Sequence, residues 1–404
     1  MNSAMPALTE FATAEVASST QVALKRDSAG AAVNSAIWIE RASRGRLGEI
    51  DADWIDLLTR AHESNVFMDP AILRCLDAGC ITLLAWQGQR LMGLWAFARS
   101  RLGPLGALHS PAFAHAYLGT PVVDRVSAEA ALAAMLDYIA GARDLPKLIR
   151  FDPIRLHGPT MQALSALLEA RGTGPRVLGE TPRPILASNL DGKQYFEAAL
   201  SSSSRKKLRQ HRRRLEERGA LENVVSAEPA EVRRAFEGFL ALEATGWKGQ
   251  SGTALLCHEA DANFARAMVA ALAEHGRASI HGLYQGGKPV AAQVVLRAGP
   301  AAFTWKTAYD EALGDYSPGM LLLENYTTAF LADQSIAMVD SCAFDDTGFM
   351  SVWREREVVA QVLIDARRGR SLVFAAVASL QKIFIKLRAT AKALWLGRRK
   401  WMRK

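Results

Sequence analysis

Hydrophobic and polar positions follow the same order twice along this chain. Between Ile81 and Arg101 two apolar runs flank the turn Gln87-Gly88-Gln89, and between Ala278 and Gly299 two more flank Gln285-Gly286-Gly287. Short apolar runs on either side of a glycine-containing turn predict β-hairpins. After the first hairpin the pattern predicts a helix over 128–141, a strand over 147–154 and a helix near 160–171. After the second it predicts a strand over 301–310, a loop over 311–319, a helix over 320–333 and a strand over 336–344. Helix-spaced apolar residues precede both hairpins: Trp54, Leu57 and Leu58 in the first half, and Val232, Phe236, Phe239 and Leu240 in the second. This duplication, about 195 residues apart, predicts a tandem α/β protein.

Between the halves lies SSSSRKKLRQHRRRLEERG (201–219), where serines suit a helix N-cap and Gly219 a C-cap. Arg205, Lys206, Arg209, Arg212 and Arg213 follow a three/four spacing and form one charged stripe on that helix. A second charge feature ends the chain. Twelve Lys/Arg and no Asp/Glu fall between Ala366 and Lys404, which leaves −4 for residues 1–365 out of a total of +8. The basicity therefore belongs to a tail rather than to the body. The expected organisation is a disordered terminus over 1–35, a first domain over 36–185, a second over 186–365, and a tail over 366–404.

Composition narrows the class. With 50% hydrophobic and 22% charged residues the chain can bury a core and is not wholly disordered. It has no uninterrupted apolar run of ~18 residues, which excludes a polytopic membrane protein. Residues 1–35 lack a basic start before an apolar core, so they do not read as a secretory signal. Cys75, Cys80, Cys257 and Cys342 lack metal-ligand spacing and read as small thiols in a reducing cytosol; no metal is expected. GLYQGGKP (282–289) approximates a phosphate-binding loop, but Pro289 follows Lys288 and a strand pattern comes next, so it reads as a hairpin turn.

Candidate chemistry centres on the loop before the 320–333 helix. The first amides of a helix lack internal partners and lie at a positive dipole end, which suits a phosphate. Pro318 contributes no amide there, and Gly319 permits close approach of another backbone.

The segments SSSSRKKLRQHRRRLEERG, LEATGWKGQSGTAL (242–255), KPVAAQVVL (288–296), WKTAYDEALGDYSPGMLLL (305–323) and VDSCAFDD (339–346) resemble the CelD-like and FemAB-like acyltransferases. Many of these are found in bacterial exopolysaccharide biosynthesis. The resemblance covers about 190–355 and implies tandem GCN5-related N-acetyltransferase (GNAT)-like domains, the first degenerate. It implies an acyl-CoA donor, acetyl-CoA first, with its pantetheine arm beside strand 305–310. The amides of Ser317, Gly319, Met320 and Leu321 would then meet the pyrophosphate.

On that strand Lys306, Ala308 and Asp310 share one face by alternation, with Trp305 and Tyr309 on the other. Lys306 would stabilise developing negative charge and Asp310 would orient it or an acceptor. Asp340, on the next strand, would accept the amine proton. His281 is an alternative base, although a packed strand histidine is the plainer reading. Trp247 and Lys248, between a helix and two glycines, would clamp the acceptor. Arg205 and Arg209 would hold a phosphate of the acceptor, contact anionic lipid or RNA, or form a solvated helix face.

In the tail, Val373, Val377, Leu380, Ile383, Phe384, Leu387, Leu394 and Trp395 fall on one helical arc, with most of the basic residues outside it. This is the pattern of a basic amphipathic helix in a membrane surface. The combined expectation is a cytoplasmic N-acyltransferase held peripherally on the anionic inner membrane through residues 371–404. Its acceptor would be an amino sugar of an exopolysaccharide or adhesin, or a lipid-linked precursor. The enzymatic alternative transfers an amino acid from aminoacyl-tRNA. The non-catalytic alternative is a membrane-bound regulator or scaffold of polysaccharide synthesis, with cyclic di-GMP as a ligand for an arginine cluster. No DNA partner is expected.

Overall fold

The computed structural model describes residues 36–401 apart from 77, 78, 103, 104, 345 and 347, with backbone alone at 101, 386 and 388–401. The terminus expected to be disordered lies outside the described residues. The first half contains β1 (Ile37–Ala42), α1 (Arg44–Leu47), α2 (Asp51–Arg60), α3 (Pro70–Leu73), β2 (Ile81–Gln87), β3 (Arg90–Leu102), β4 (Leu105–Ser110) and β5 (Val122–Val123). It continues through α4 (Ala128–Gly141), β6 (Leu148–Arg155), α5 (Pro159–Ala170) and β7 (Arg176–Leu186). Next come α6 (Gly192–Ala199), α7 (Ser202–Glu216), β8 (Leu221–Ser226), α8 (Pro229–Thr245), α9 (Trp247–Gln250) and α10 (Glu259–Ala273). The remainder is β9 (Ala278–Gln285), β10 (Lys288–Ala298), β11 (Ala301–Tyr309), α11 (Pro318–Ala332), β12 (Met338–Asp340), β13 (Glu355–Asp365) and α12 (Leu372–Trp401).

Local chemistry accounts for the main elements. Gly286 and Gly287 both have positive φ (56° and 75°), as a two-residue turn matching strand twist requires. GLYQGGKP is thus the tip of the β9–β10 hairpin. Ser201 accepts the Ser204 amide and starts α7, whose buried stripe is Leu208, His211 and Leu215. Asp191 and Gln194 form a reciprocal capping box on α6.

Among the described residues thirteen strands join one sheet in the order β1-β2-β3-β4-β6-β13-β7-β12-β11-β10-β9-β8, with β5 paired to β3. The duplication is visible in the pairing. Each half has a hairpin, a third strand and one parallel partner: β4 with β6, and β11 with β12. The other pairs are antiparallel. The order also interlocks the halves, because β13 inserts between β6 and β7. β7 then pairs with β12 through Leu186 and Ile185. The boundary expected at 185/186 falls inside β7, and β13, from the 186–365 segment, pairs in the first half's sheet.

Helices cover both faces of the second half's sheet. Val232, Phe236, Phe239 and Leu240 of α8 share a core with Met268 and Leu272 of α10 and with Phe303 and Trp305. On the opposite face Leu321, Leu322, Leu323 and Tyr326 of α11 pack with Leu208 and Leu215 of α7. Beyond this body, α12 docks its first turns by Phe374 and Ala378 against Leu178 and Leu363. Its other flank stays exposed, with Val373, Leu380, Ile383, Phe384 and Leu387 at 55–65%. Leu394 and Trp395, placed by the sequence on the same arc, have no described side chains. Among the described residues no helix is long and apolar enough to cross a membrane.

Candidate active site

β11 carries one irregularity. Val294 faces Lys306 across the ladder and Val295 faces Thr304, so Trp305 is an extra, bulged residue. A bulge interrupts alternation, placing consecutive side chains on one side. Trp305 and Lys306 accordingly share the face covered by α8 and α10, with Lys306 Nζ 5.5 Å from the Trp305 ring centroid. This corrects the expectation that Trp305 points away from Lys306. Tyr309 does lie on the other face, beside Gly319 of α11.

Lys306 is half-buried, and among the described residues its Nζ has no hydrogen bond or ion pair. Burial pushes its pKa below the ordinary lysine range; the nearby charge of Glu243 opposes this, that of Lys248 adds to it, and that of Asp261 opposes it. The surroundings come from both halves. Trp305 Nε1 donates to the His115 carbonyl oxygen at 2.8 Å. His115 Nε2 lies 3.5 Å from Asp261 Oδ1 of α10. Burial lowers the His115 pKa, helped by the charge on Lys306 and opposed by Asp261. The site therefore presents a lysine side chain with no hydrogen bond or ion pair among the described residues, beside an imidazole whose charged form burial disfavours.

The other predicted residues divide. Asp310 does not pair with Lys306: its Oδ1 accepts the Ala312 amide at 2.9 Å and caps a short 3-10 turn over Glu311–Tyr316. Lys248 is not free to clamp an acceptor, because Nζ donates to Glu243 Oε1 (3.0 Å) and to the Thr307 carbonyl (2.9 Å). Glu243 is buried and also accepts the Leu255 amide at 2.9 Å. Trp247 is 54% exposed beside this knot, its amide bound to Glu311. The turn can form because position 249 is glycine; a Cβ there would stand 1.8 Å from the Ala244 carbonyl oxygen.

The amide seat expected for a diphosphate is mostly spent within the chain. The Ser317 amide donates to Gly314 O (2.9 Å), and those of Met320 and Leu321 to Ser317 O (3.0 and 3.2 Å). The Ser317 backbone is left-handed (φ 51°), which folds the 3-10 turn directly into α11. Among the described residues Gly319 alone of the four has an unpartnered amide. Residues 317–321 therefore do not fit a coenzyme diphosphate as a four-amide cradle.

Asp340 is placed for structure. It is fully buried and accepts the Cys342 amide at 2.8 Å. Arg183 of β7 lies 3.4 Å from it and Arg155 of β6 lies 3.5 Å away. Arg155 also holds Glu357 of β13 at 2.8 Å. A carboxylate fixed between two guanidiniums and closed from solvent cannot collect a proton from an acceptor, so its expected role as base is overturned. His281 is buried in β9 on the α11 face, and burial pushes its pKa down to about 4. Arg205 and Arg209 do come together, with Lys193 and Arg212, around a cleft of about 730 Å³. That cleft opens on the α7–α11 face, so the sheet separates it from Lys306.

Sequence reasoning missed His115, Asp261 and Glu243. Glu243 stood inside the quoted LEATGWKGQ segment, but nothing local marks His115 or Asp261, which meet Lys306 only through the fold.

Residues 202–347 match the family model of the acetyltransferase (GNAT) domain, which marks them as a GNAT-type transferase domain. No curated protein sequence matches the chain. FemX is similar in structure at 12% identity, with 80% of this chain and 96% of that chain covered and a TM-score of 0.54. So is the C-terminal domain (DUF2156) of a putative lysylphosphatidylglycerol synthetase from Agrobacterium fabrum, at 14% identity, 84% and 97% coverage and a TM-score of 0.51. At these identities the likeness is one of fold, and the fold is tandem and GNAT-like.

Removing one partner of a buried ion pair leaves the others uncompensated. Asp340→Ala is expected to cost ~3–5 kcal/mol of stability in urea unfolding, and Asp340→Asn, which can still accept the Cys342 amide, less. A loss under ~1 kcal/mol in the alanine variant would contradict the structural role.

Proposed function

We propose that this chain is an N-acyltransferase whose reacting centre is the Lys306 face of β11. The observation that carries this reading is the half-buried Lys306 amine, without a hydrogen bond or ion pair among the described residues, beside the bulged Trp305 and near His115 and Asp261 inside a GNAT-type domain. Acyl transfer to an amine passes through a tetrahedral oxyanion, and positioned donors stabilise that charge. The Lys306 ammonium would supply such a donor. The acceptor nitrogen forms its bond to the acyl carbon and gives its proton to His115, whose Nε2 lies 3.5 Å from Asp261. The bond from that carbon to the donor breaks, and the leaving sulfur or oxygen keeps the electron pair and takes the proton from His115. Holding both reactants in this geometry contributes ~7–11 kcal/mol, more than either side chain alone.

Acetyl-CoA is the donor assigned first, on the GNAT match. The acceptor assigned is an amino sugar of an exopolysaccharide or adhesin, or of its lipid-linked precursor, supported by the sequence resemblance. One observation favours a second donor. With three of the four amides expected at residues 317–321 spent, aminoacyl-tRNA, which needs no diphosphate seat there, is the alternative.

The two separate in one assay of the purified full chain with an amino-sugar acceptor. Thiol release from acetyl-CoA that requires acceptor and falls ~10²–10³-fold in Lys306→Met, with unchanged circular dichroism, supports the first reading. RNase-sensitive transfer from aminoacyl-tRNA, without thiol release, supports the second. Undiminished turnover in Lys306→Met would contradict both.

The same reading seats the protein peripherally on the cytoplasmic side of an anionic inner membrane through α12. Support comes from its exposed apolar flank. Burying a side chain such as Leu380, Ile383 or Phe384 contributes ~1.5–3 kcal/mol, and each basic residue near an anionic surface about 1 kcal/mol. The protein is expected to sediment with phosphatidylglycerol-rich vesicles and to remain in solution with phosphatidylcholine vesicles. Leu380→Asp/Phe384→Asp should abolish the sedimentation. Equal sedimentation with both vesicle types would contradict the assignment.

A further inference from the structure

The cleft on the α7–α11 face is built from second-half elements and lies across the sheet from Lys306. Its volume, about 730 Å³, is in the range of sites that enclose a small organic ligand. Four cations line it. Arg212 is committed, donating to Glu324 Oε2 and Asn325 Oδ1 at 3.0 Å each. Lys193, Arg205 and Arg209 have no ion pair among the described residues. Of the two carboxylates in the lining, Glu324 is the one Arg212 neutralises, which leaves Glu197 against three free cations.

The floor differs in character from the rim. Phe196, Leu322 and Tyr326 close it from beneath and are almost wholly buried, while Val225, exposed and paired across the sheet with His281, offers the open apolar surface. The His281 ring packs 5.3 Å from Phe330 and 6.2 Å from Tyr326, centroid to centroid. Among the described residues it has no hydrogen-bond partner, and it lines the cleft, where a ligand could supply one. Burial holds it neutral down to about pH 4, so it brings one donor and one acceptor but no charge. An unpartnered imidazole in an apolar floor, under a rim of unpaired guanidiniums, suits a ligand with an anionic end and a body that is apolar or planar yet carries a hydrogen-bonding group.

We propose that this cleft binds a phosphorylated organic ligand, its phosphate on Arg205, Arg209 and Lys193 and its body on Val225 and His281. Bidentate guanidinium–phosphate geometry favours arginine for the first contact. The site is separate from the reacting centre, so its occupancy does not depend on the acyl-transfer reading.

Isothermal titration of the full chain with inorganic pyrophosphate, uridine diphosphate and dodecyl phosphate tests this. At least one organic probe is expected to bind tenfold or more tightly than pyrophosphate. Tighter uridine diphosphate identifies a soluble nucleotide-type ligand, and tighter dodecyl phosphate a lipid phosphate. Arg205→Ala/Arg209→Ala, which alters half-exposed and exposed side chains, should weaken the preferred probe at least tenfold. His281→Phe, which keeps the ring packing, should weaken the organic probe and leave pyrophosphate unchanged. Lys306→Met should bind like the parent chain. The proposal is overturned if no probe binds, if neither organic probe exceeds pyrophosphate, if either cleft variant binds the organic probe unchanged, or if Lys306→Met abolishes binding.

Discussion

A single buried carboxylate between two guanidiniums holds the halves of this molecule in register. Asp340 belongs to β12, Arg183 to β7 and Arg155 to β6, and Arg155 reaches on to Glu357 of β13. Four strands drawn from both halves thus share one charge cluster at the seam of the sheet. Such clusters contribute little net energy against a well-packed apolar substitute, but their loss in part is costly. Their effect is to specify one arrangement. Here that arrangement is β13 threaded between β6 and β7, so that the first half's sheet is completed by a strand from the second.

Because the halves are fixed this way, the His115 loop of the first half stands over β11 of the second. The Trp305 indole bonds to the His115 backbone, and the bulge that frees Trp305 from the ladder turns Lys306 to the same side. The amine is then covered by α8 and α10, with the Trp305 ring beside it and no hydrogen bond or ion pair among the described residues, while Glu243 is already occupied by Lys248 and the Leu255 amide. An unpaired lysine in such a place is destabilising to the fold, and active sites are where such groups concentrate. The chemistry follows from topology: a seam, a bulge and two helices produce the site together.

Much of the fold was legible in the residues. Glycine turns located both hairpins, and the apolar spacing of Trp54, Leu57 and Leu58 and of Val232, Phe236, Phe239 and Leu240 located helices that are buried where predicted. The interlocking was not legible, since nothing local in residues 355–365 says which sheet they enter. The candidate site was half legible. Lys306 was found by strand position, but alternation misplaced Trp305 because a bulge leaves no clear mark in sequence. Asp310 and Asp340 were read as chemical groups because short polar residues look alike whether they cap, bridge or react. Their hydrogen bonds decide the matter, and both are spent on the fold. His115 and Asp261, separated from Lys306 by tens of residues or more, needed the structure.

The central claim is that Lys306 stands partly buried and unpaired on the α8–α10 face. Reductive ¹³C-dimethylation of the lysines followed by an NMR pH titration measures this directly. The account predicts one resonance, absent from the Lys306→Met protein, that titrates clearly below the remaining lysines. A Lys306 resonance titrating with or above the exposed lysines would show the amine to be solvated or ion-paired, and would contradict the account.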